Sequence, residues 1–199
     1  MLDRADTGSS GGGTDRGPRT PDEAPAGEVA VLRSVQRRID APAVVSGARA
    51  MSVFGEHAAG WIGLGALGAA LDPRRRRPWL TAVGGVVGAH GASVVLKRVV
   101  RRPRPHDPRI AVHVGTPSRL SFPSSHATST TAAAVLLGGL VGRTGVAVTT
   151  LVPAMALSRL VLGVHYPTDV LAGSTLGAVC ALGTRRLIRR GAVGRWRTA

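Results

Sequence analysis

The sequence of 199 residues has few of the side chains that cross-link or fill small domains. Its single cysteine, Cys180, excludes a disulfide framework and a zinc site ligated by several cysteines. Aromatic residues make up only 3% of the chain, although 44% of its residues are hydrophobic. Any core must therefore be built from Ala, Val, Leu and Gly.

Acidic residues are also scarce, and they are unevenly placed. Eleven Asp and Glu stand against 26 Lys and Arg, which gives a formal charge of +15. From Ala58 onwards only Asp72, Asp107 and Asp169 remain. A balance this basic is typical of proteins that bind nucleic acids or membrane surfaces. So few acids leave no carboxylate cluster for Mg²⁺.

The first 28 residues consist mainly of Gly, Ser, Thr, Pro and Asp, with almost no apolar side chains. Such a segment cannot bury enough surface to offset its ordering entropy, so we expect residues 1–28 to form a disordered tail. The tail also lacks the hydrophobic stretch of a secretory signal. Residues 29–52 alternate apolar residues with arginines at helical spacing, which predicts an amphipathic helix on a membrane surface, broken or bent at Pro42.

In the rest of the chain, five apolar blocks of 12 to 18 residues with few or no charges follow one another, separated by tight basic clusters. They are Ala58–Leu71, Trp79–Leu96, Thr130–Val141, Thr144–Leu157 and Val170–Leu182. Each is at or below the length of about 20 residues that spans a bilayer, but five cannot all be hidden in so small a soluble domain. We predict an all-α, multi-pass transmembrane bundle of about five spans at 53–185, with close Gly and Ala packing and a basic tail at 186–199. A nucleic-acid partner is not expected.

The charges between the blocks predict an orientation in the plasma membrane. If all five blocks span, Arg74–Arg77, Arg143 and Arg185–Arg197 share one side, which the positive-inside rule assigns to the cytoplasm. The loops Lys97–Ser125 and Arg159–Asp169 then share the extracytoplasmic face. The first of these loops is itself basic, so its charges need a reason other than topology.

Lysine is almost absent, since Lys97 is the only one among the 26 basic residues. A composition so biased towards arginine should have replaced a lysine that merely supplied charge. Lys97 therefore indicates a site that requires a compact ammonium, for which arginine is no substitute, although chance is the alternative. For the nearby Arg98 and Arg101 we prefer the interpretation of lipid-headgroup anchors or solvated charges.

Two further clusters carry possible chemistry. Ser124 and Ser125 precede His126 at a helix start, where serines cap the helix and free N–H groups favour an anion. His165 and Asp169 stand four residues apart, close enough for the carboxylate to orient the imidazole. Each cluster alone has a structural explanation: the serines can be simple caps, and Asp169 a first-turn acid favoured by the helix dipole. Together the clusters can bind a phosphate and supply a nucleophile and an acid.

The three clusters resemble the motifs of the type 2 phosphatidic acid phosphatases, the PAP2 family, which are Lys-x6-Arg-Pro, Pro-Ser-Gly-His and Ser-Arg-x5-His-x3-Asp. In this chain they run from Lys97 to Arg104-Pro105, over Pro123-Ser124-Ser125-His126, and from Ser158-Arg159 to His165 and Asp169. Order and spacing match in all three. Ser125, at the usual glycine position, is the one departure, and it loses the tighter backbone approach that Gly allows.

The resemblance implies a phosphatase that works without metal or cofactor. His165 would attack phosphorus to give a phosphohistidine, with Asp169 orienting its ring. His126 would protonate the leaving oxygen and then act as base on the hydrolytic water. The groups that would hold the phosphoryl oxygens are Lys97, Arg104, Ser124, Ser125 and Arg159. Arg102-Pro103 competes with Arg104-Pro105 for the motif position, and the family spacing favours Arg104.

The resemblance also suggests a substrate. Stretches such as Phe54–His57 and Gly115–Ser118 are similar to a small actinobacterial branch of the family, which implies decaprenylphosphoryl-5-phosphoribose, an arabinan precursor of the cell wall. Undecaprenyl diphosphate, phosphatidic acid or phosphatidylglycerophosphate are the alternatives, and a basic membrane scaffold or transporter is the non-enzymatic one. Glu56 and His57 at the start of the first block either contact the substrate or form an interfacial ion pair. His90 is expected to be a packing residue.

Overall fold

The structure is a computed structural model that describes residues 26–39 and 41–196, with side chains to residue 190. Its helices are α1 (Ala26–Arg38), α2 (Pro42–Gly55), α3 (Ala59–Leu71), α4 (Arg76–Val100), α5 (Ser125–Leu140), α6 (Thr144–Val161) and α7 (Pro167–Trp196). Short 3₁₀ turns at Glu56–Ala58 and Pro73–Arg75 join α2 to α3 and α3 to α4. Within the described ranges the only extended pairing is an isolated bridge between Pro103 and Leu120, so the fold is all-α as predicted.

The N-terminal helical region is broken at Pro42, as the sequence predicts. Pro42 occupies the first turn of α2, where its missing N–H costs nothing, so the chain forms two helices on either side of a break. Helix α1 begins at Ala26 and buries Val29 and Leu32, which contradicts the placement of Glu28 in a tail. Residues 1–25, the rest of the expected disordered tail, lie outside the described residues.

Each of the five apolar blocks forms a helix of one bundle. Helix α5 is buried along most of its length and packs against α4, α6 and α7. The surrounding helices turn apolar side chains such as Val95, Val146 and Val179 outward, as helices in lipid do. Two stretches, Pro73–Val100 and Thr144–Val161, are by themselves long and apolar enough to cross a bilayer.

Helices α5 and α7 approach closely because glycines line the contact, as the composition predicts. A Cβ atom on Gly173 would lie 2.5 Å from the carbonyl oxygen of Ser124, and one on Gly177 would lie 2.2 Å from that of Thr128. The Ser124 N–H also donates to the Asp169 carbonyl at 2.9 Å. The starts of α5 and α7, and with them two of the three motifs, are therefore held side by side.

The bundle has two ends of different character. The end of α4, the start of α5, the end of α6 and the start of α7 lie together, and the 101–124 segment covers them. At the other end, Arg75 Nη1 donates to the Leu140 carbonyl at 2.7 Å, which joins the start of α4 to the end of α5. Helix α7 continues past residue 186 to Trp196, so the basic segment expected from that residue onwards begins within the helix.

Candidate active site

A cavity of about 320 Å³ opens at the end of the bundle that carries the three motifs. Eight of the ten candidate residues from the sequence line it, and they are Glu56, His57, Lys97, Arg104, Ser125, His126, Arg159 and His165. Ser124 and Asp169 are fully buried behind its wall. Motifs that are up to about 70 residues apart in sequence therefore meet at one cavity, as antiparallel helices in a bundle allow.

His165 lies in the loop between α6 and α7 and is 2% exposed. Its Nε2 atom lies 3.3 Å from Nη1 of Arg104, and its Nδ1 atom lies 3.6 Å from Oδ2 of Asp169. Burial holds the pKa of the His165 imidazole well below its usual range, while Asp169 acts in the opposite direction. The ring is therefore neutral at neutral pH, with a guanidinium at one nitrogen and a carboxylate at the other.

Asp169 serves two structural purposes. Its Oδ2 atom accepts the Tyr166 N–H at 2.8 Å, which caps the start of α7 in the manner of a capping box. Its Oδ1 atom accepts from Nη1 of Arg102 at 2.9 Å. The carboxylate that faces His165 is thus also a first-turn helix cap, and the two sequence interpretations are compatible.

The two arginines that compete for the first motif point to different places. Arg104 lines the cavity, where its Nε donates to the Ser118 carbonyl at 2.8 Å and its Nη1 to the Val164 carbonyl at 2.7 Å. Burial lowers the pKa of Arg104 to about 10, so the guanidinium keeps its charge at neutral pH. Arg102 lies outside the cavity and stacks on the Tyr166 ring at 4.2 Å. Arg104, the arginine at the family's motif spacing, is therefore the one that lines the cavity.

Lys97 is buried at the end of α4, where its ammonium lies within hydrogen-bond distance of three backbone carbonyls. Nζ donates to the carbonyls of Leu120 at 3.2 Å, Ser121 at 3.1 Å and Pro123 at 2.8 Å. The ammonium thus fixes the loop segment 120–123, which leads into α5. From the sequence, Lys97 is expected only to supply a compact positive charge. Its contacts with three carbonyls could not be predicted, because the tertiary fold brings those carbonyls to it.

His126 and Arg159 are both directed towards α2. Nε2 of His126 lies 3.0 Å from the Ser52 carbonyl, and a carbonyl only accepts, so Nε2 carries the proton in this contact. Nη1 of Arg159 donates to Ser52 Oγ at 2.9 Å. A Cβ on Gly55 would lie 2.8 Å from Cδ2 of His126. Ser52 belongs to no stretch singled out from the sequence. Gly55 lies within the Phe54–His57 stretch, but its contact with His126 was not predicted.

The two serines before His126 have separate environments. Ser124 is the N-cap of α5 and accepts the Ala127 N–H at 3.4 Å, as expected for a capping serine. Ser125, at the position where the family pattern has Gly, lines the cavity, and its Oγ lies 2.8 Å from Oγ of Ser93 on α4. The hydroxymethyl group of Ser125, at a position where glycine has no side chain, therefore has a polar partner in Ser93 on the neighbouring helix.

Glu56 and His57 lie at the mouth of the cavity, and their side chains are 51% and 72% exposed. Oε1 of Glu56 lies 4.0 Å from Nδ1 of His57. His57 and the following Ala58 have φ values of 50° and 60°, a left-handed conformation that non-glycine residues rarely adopt and that clusters at functional sites. His90 was expected to be only a packing residue, but it lines the cavity 6.2 Å from the His57 ring. Arg98, expected to be a lipid anchor or solvated charge, also lines the cavity.

Comparison with known proteins agrees with this geometry. The model of the PAP2 superfamily matches residues 78–191. The chain is 62% identical over 152 residues to a protein of Mycolicibacterium smegmatis named decaprenylphosphoryl-5-phosphoribose phosphatase, with 76% of this chain and 83% of that protein covered. A protein of the same name from Mycobacterium tuberculosis is 56% identical over 158 residues, with 79% and 88% covered.

Two solved structures share the fold. The first transmembrane PAP2 type phosphatidylglycerolphosphate phosphatase from Bacillus subtilis has a TM-score of 0.67 at 20% identity, with 83% of this chain and 88% of that chain covered. Aquifex aeolicus LpxE has a TM-score of 0.64 at 18% identity, with 79% and 94% covered. With its three motifs gathered around one cavity of a transmembrane helical bundle, the chain belongs to the PAP2 superfamily of phosphatases.

Proposed function

We propose that this chain is a metal-independent phosphatase that converts decaprenylphosphoryl-5-phosphoribose to decaprenylphosphoryl-ribose and inorganic phosphate, a step in the synthesis of cell-wall arabinan precursors. The observation that carries the proposal is the placement of a neutral, buried imidazole, His165, with Nε2 beside the guanidinium of Arg104. A phosphoryl group held by Arg104 would meet an unprotonated nitrogen nucleophile.

The reaction proceeds in two steps. The Nε2 lone pair of His165 attacks phosphorus and the bond from phosphorus to the ribose C5 oxygen breaks, while the imidazolium form of His126 gives a proton to that oxygen and becomes neutral. Asp169 faces the Nδ1 side of His165 and stabilises the positive charge that the ring acquires. Water then attacks the phosphohistidine, His126 takes a proton from it, and phosphate leaves. Lys97, Arg104 and Arg159 offset the negative charge that develops on the phosphoryl oxygens.

The substrate is supported by the relatives and by the lining of the cavity. The relatives at 62% and 56% identity are named for decaprenylphosphoryl-5-phosphoribose. The cavity wall combines apolar residues such as Val53 and Val94 with polar residues such as Glu56 and Thr116. This mixture suits a prenyl chain joined to a hydroxyl-bearing sugar, because ligand pockets are mainly apolar with a few orienting polar groups.

A substrate panel tests the proposal. Purified protein in detergent, with EDTA present, is given decaprenylphosphoryl-5-phosphoribose, undecaprenyl diphosphate, phosphatidic acid and phosphatidylglycerophosphate, and phosphate release is measured. We expect the highest kcat/KM for the phosphoribose lipid and full activity in EDTA. A preference for another lipid would refute the substrate, and a strict requirement for a divalent ion would refute the mechanism.

Variants of His165 and His126 test the catalytic roles proposed for these residues. His165→Ala should lower turnover by about 10³-fold or more, since no other group can form the covalent intermediate. His126→Ala should be nearly as damaging for the lipid but milder for an aryl phosphate, whose leaving group needs less protonation. Retention of a tenth of wild-type activity by His165→Ala, or equal losses on both substrates for His126→Ala, would contradict these assignments.

We also propose that the cavity faces the extracytoplasmic side of the plasma membrane, because the arginines at 74–77, 143 and 185–190 lie at the opposite end of the bundle. Single cysteines on a Cys180→Ser background test this orientation in intact cells with a membrane-impermeant thiol reagent. Arg119→Cys, beside the cavity, should be labelled and Arg143→Cys should be protected. The reverse pattern would place the active site in the cytoplasm.

A further inference from the structure

A polar network outside the cavity joins the first helix to the buried carboxylate behind His165. Arg102 donates from Nη1 to Oδ1 of Asp169 at 2.9 Å and forms a short ion pair through Nη2 with Oε2 of Glu28 on α1. Glu28 Oε1 also accepts from the N–H of Thr168 at 3.1 Å and from its hydroxyl at 2.6 Å. Helix α1 is thus connected to the first turn of α7 by charged hydrogen bonds.

The orientation of Asp169 depends on this network. Its side chain is fully buried, and Arg102 is the cation that contacts it within the described residues. With Oδ1 bound to Arg102 and Oδ2 bound to the Tyr166 N–H, the carboxylate plane is held from both sides. Oδ2 is then the oxygen that faces Nδ1 of His165 at 3.6 Å. Hydrogen bonds between charged groups are shorter and stronger than neutral ones, so the bond from Arg102 restricts the rotation of the carboxylate.

Arg102 is in turn held by its surroundings. Its guanidinium stacks on Tyr166, donates to the Thr168 hydroxyl at 2.7 Å and lies between the two carboxylates of Glu28 and Asp169. Its side chain is 20% exposed and that of Glu28 is 16% exposed, so solvent competes little for these contacts. Loss of Arg102 would leave a buried carboxylate without its cation and free to rotate.

We propose that Arg102 is a positioning residue that sets the orientation of Asp169, and that Glu28 acts through Arg102 to do the same. Helix α1 therefore contributes to the geometry of the nucleophile although it does not line the cavity. This inference rests on the proposed roles of His165 and Asp169. A displacement of about 1 Å in a catalytic group can cost about 10²-fold in rate, which is the size of effect expected here.

The test uses the full-length protein in detergent, with an aryl phosphate as substrate and inorganic phosphate as competitive inhibitor. Arg102→Gln should lower kcat/KM by about 10²-fold and Glu28→Gln by about tenfold. The inhibition constant of phosphate should stay within about twofold, because the cavity cations are untouched. Arg119→Gln removes the same charge from an exposed residue of the same segment, and it should leave kcat/KM unchanged.

A double-mutant cycle tests whether Glu28 acts through Arg102. Glu28→Gln in the Arg102→Gln background should cause no further loss, since the coupled contact is already absent. A further tenfold loss, wild-type kcat/KM in Arg102→Gln, or a parallel weakening of phosphate inhibition would overturn the proposal. If Arg102→Gln does not fold, as judged by its melting temperature, the partly exposed Glu28→Gln and its effect on kcat/KM decide the matter.

His165→Ala and Asp169→Asn, measured in the same assay, separate this inference from the proposed function. If either variant keeps wild-type activity, the proposed mechanism fails. If both are inactive while Arg102→Gln and Glu28→Gln behave as wild type, the mechanism stands and only the positioning role is refuted.

Discussion

Nη1 of Arg104 lies 3.3 Å from Nε2 of His165, so a half-buried cation and the proposed attacking nitrogen lie side by side at the cavity. The same Nη1 donates to the Val164 carbonyl, which fixes the guanidinium beside the residue that precedes the nucleophile. A phosphoryl oxygen bound by Arg104 would place phosphorus close to Nε2. Binding and attack therefore depend on one arginine side chain.

Arg104→Lys should lower kcat/KM by about 10²-fold or more, the cost of removing one transition-state donor in other enzymes. Lysine keeps the charge but lacks the planar fork that contacts Ser118, Val164 and the phosphoryl group together. Steady-state kinetics with an aryl phosphate measure the loss. A loss smaller than about threefold would show that charge alone is sufficient at this position.

Lys97→Arg should lower kcat/KM by at least about tenfold, or roughly 1.4 kcal/mol of transition-state stabilisation. The three carbonyls around Nζ surround a single ammonium, and a planar guanidinium cannot place its donors at that one point. Lys97→Met should cost more, because the buried charge is lost as well. Wild-type kinetics for Lys97→Arg would mean that the lone lysine has no special role.

Gly55→Ala should lower kcat by about tenfold while the protein remains folded. The added methyl group would lie 2.8 Å from Cδ2 of His126 and 3.0 Å from Cε of Met155, so the imidazole has to move. Gly47→Ala, on the same helix and with nothing within 4 Å of its Cβ position, is the matched control. Equal kcat values in the two variants would show that catalysis does not depend on this placement of the His126 imidazole.

Gly177→Ala should destabilise the bundle by about 1–3 kcal/mol, the usual cost of overpacking a tight contact. The new Cβ would lie 2.2 Å from the Thr128 carbonyl oxygen, a backbone atom of α5 that moves only with its helix. Gly183→Ala on the same helix has open space and should match or exceed wild-type stability. Thermal unfolding in detergent compares the two, and similar melting temperatures would contradict the close α5–α7 contact.

The His165 imidazole should remain neutral as the pH falls from 8 to 5. Burial lowers its pKa, and a lowered pKa for a group that is cationic when protonated means that protonation occurs only in more acidic solution. Nitrogen NMR of histidine-labelled protein, with the signal assigned from His165→Gln, follows the ring directly. A titration of this signal with a midpoint near 6.5 would show that burial does not lower the pKa of the His165 imidazole.

Local sequence was sufficient to predict the helices and the motif residues. The apolar blocks became α3 to α7 because runs of apolar residues in a helix have no alternative to burial or lipid. Pro42 ended one helix and began the next through its own ring geometry. The motif spacing also predicted that Arg104, and not Arg102, reaches the cavity.

Contacts between distant segments could not be predicted in this way. Arg102 stands two residues before Arg104, yet it turns towards Glu28, which is 74 residues away in sequence. Ser52 belongs to no motif, and it reaches His126 and Arg159 only because α2 packs against α6 and α5. Helix propensity and motif spacing depend on neighbouring residues, whereas the direction of a buried side chain depends on partners that folding alone brings together.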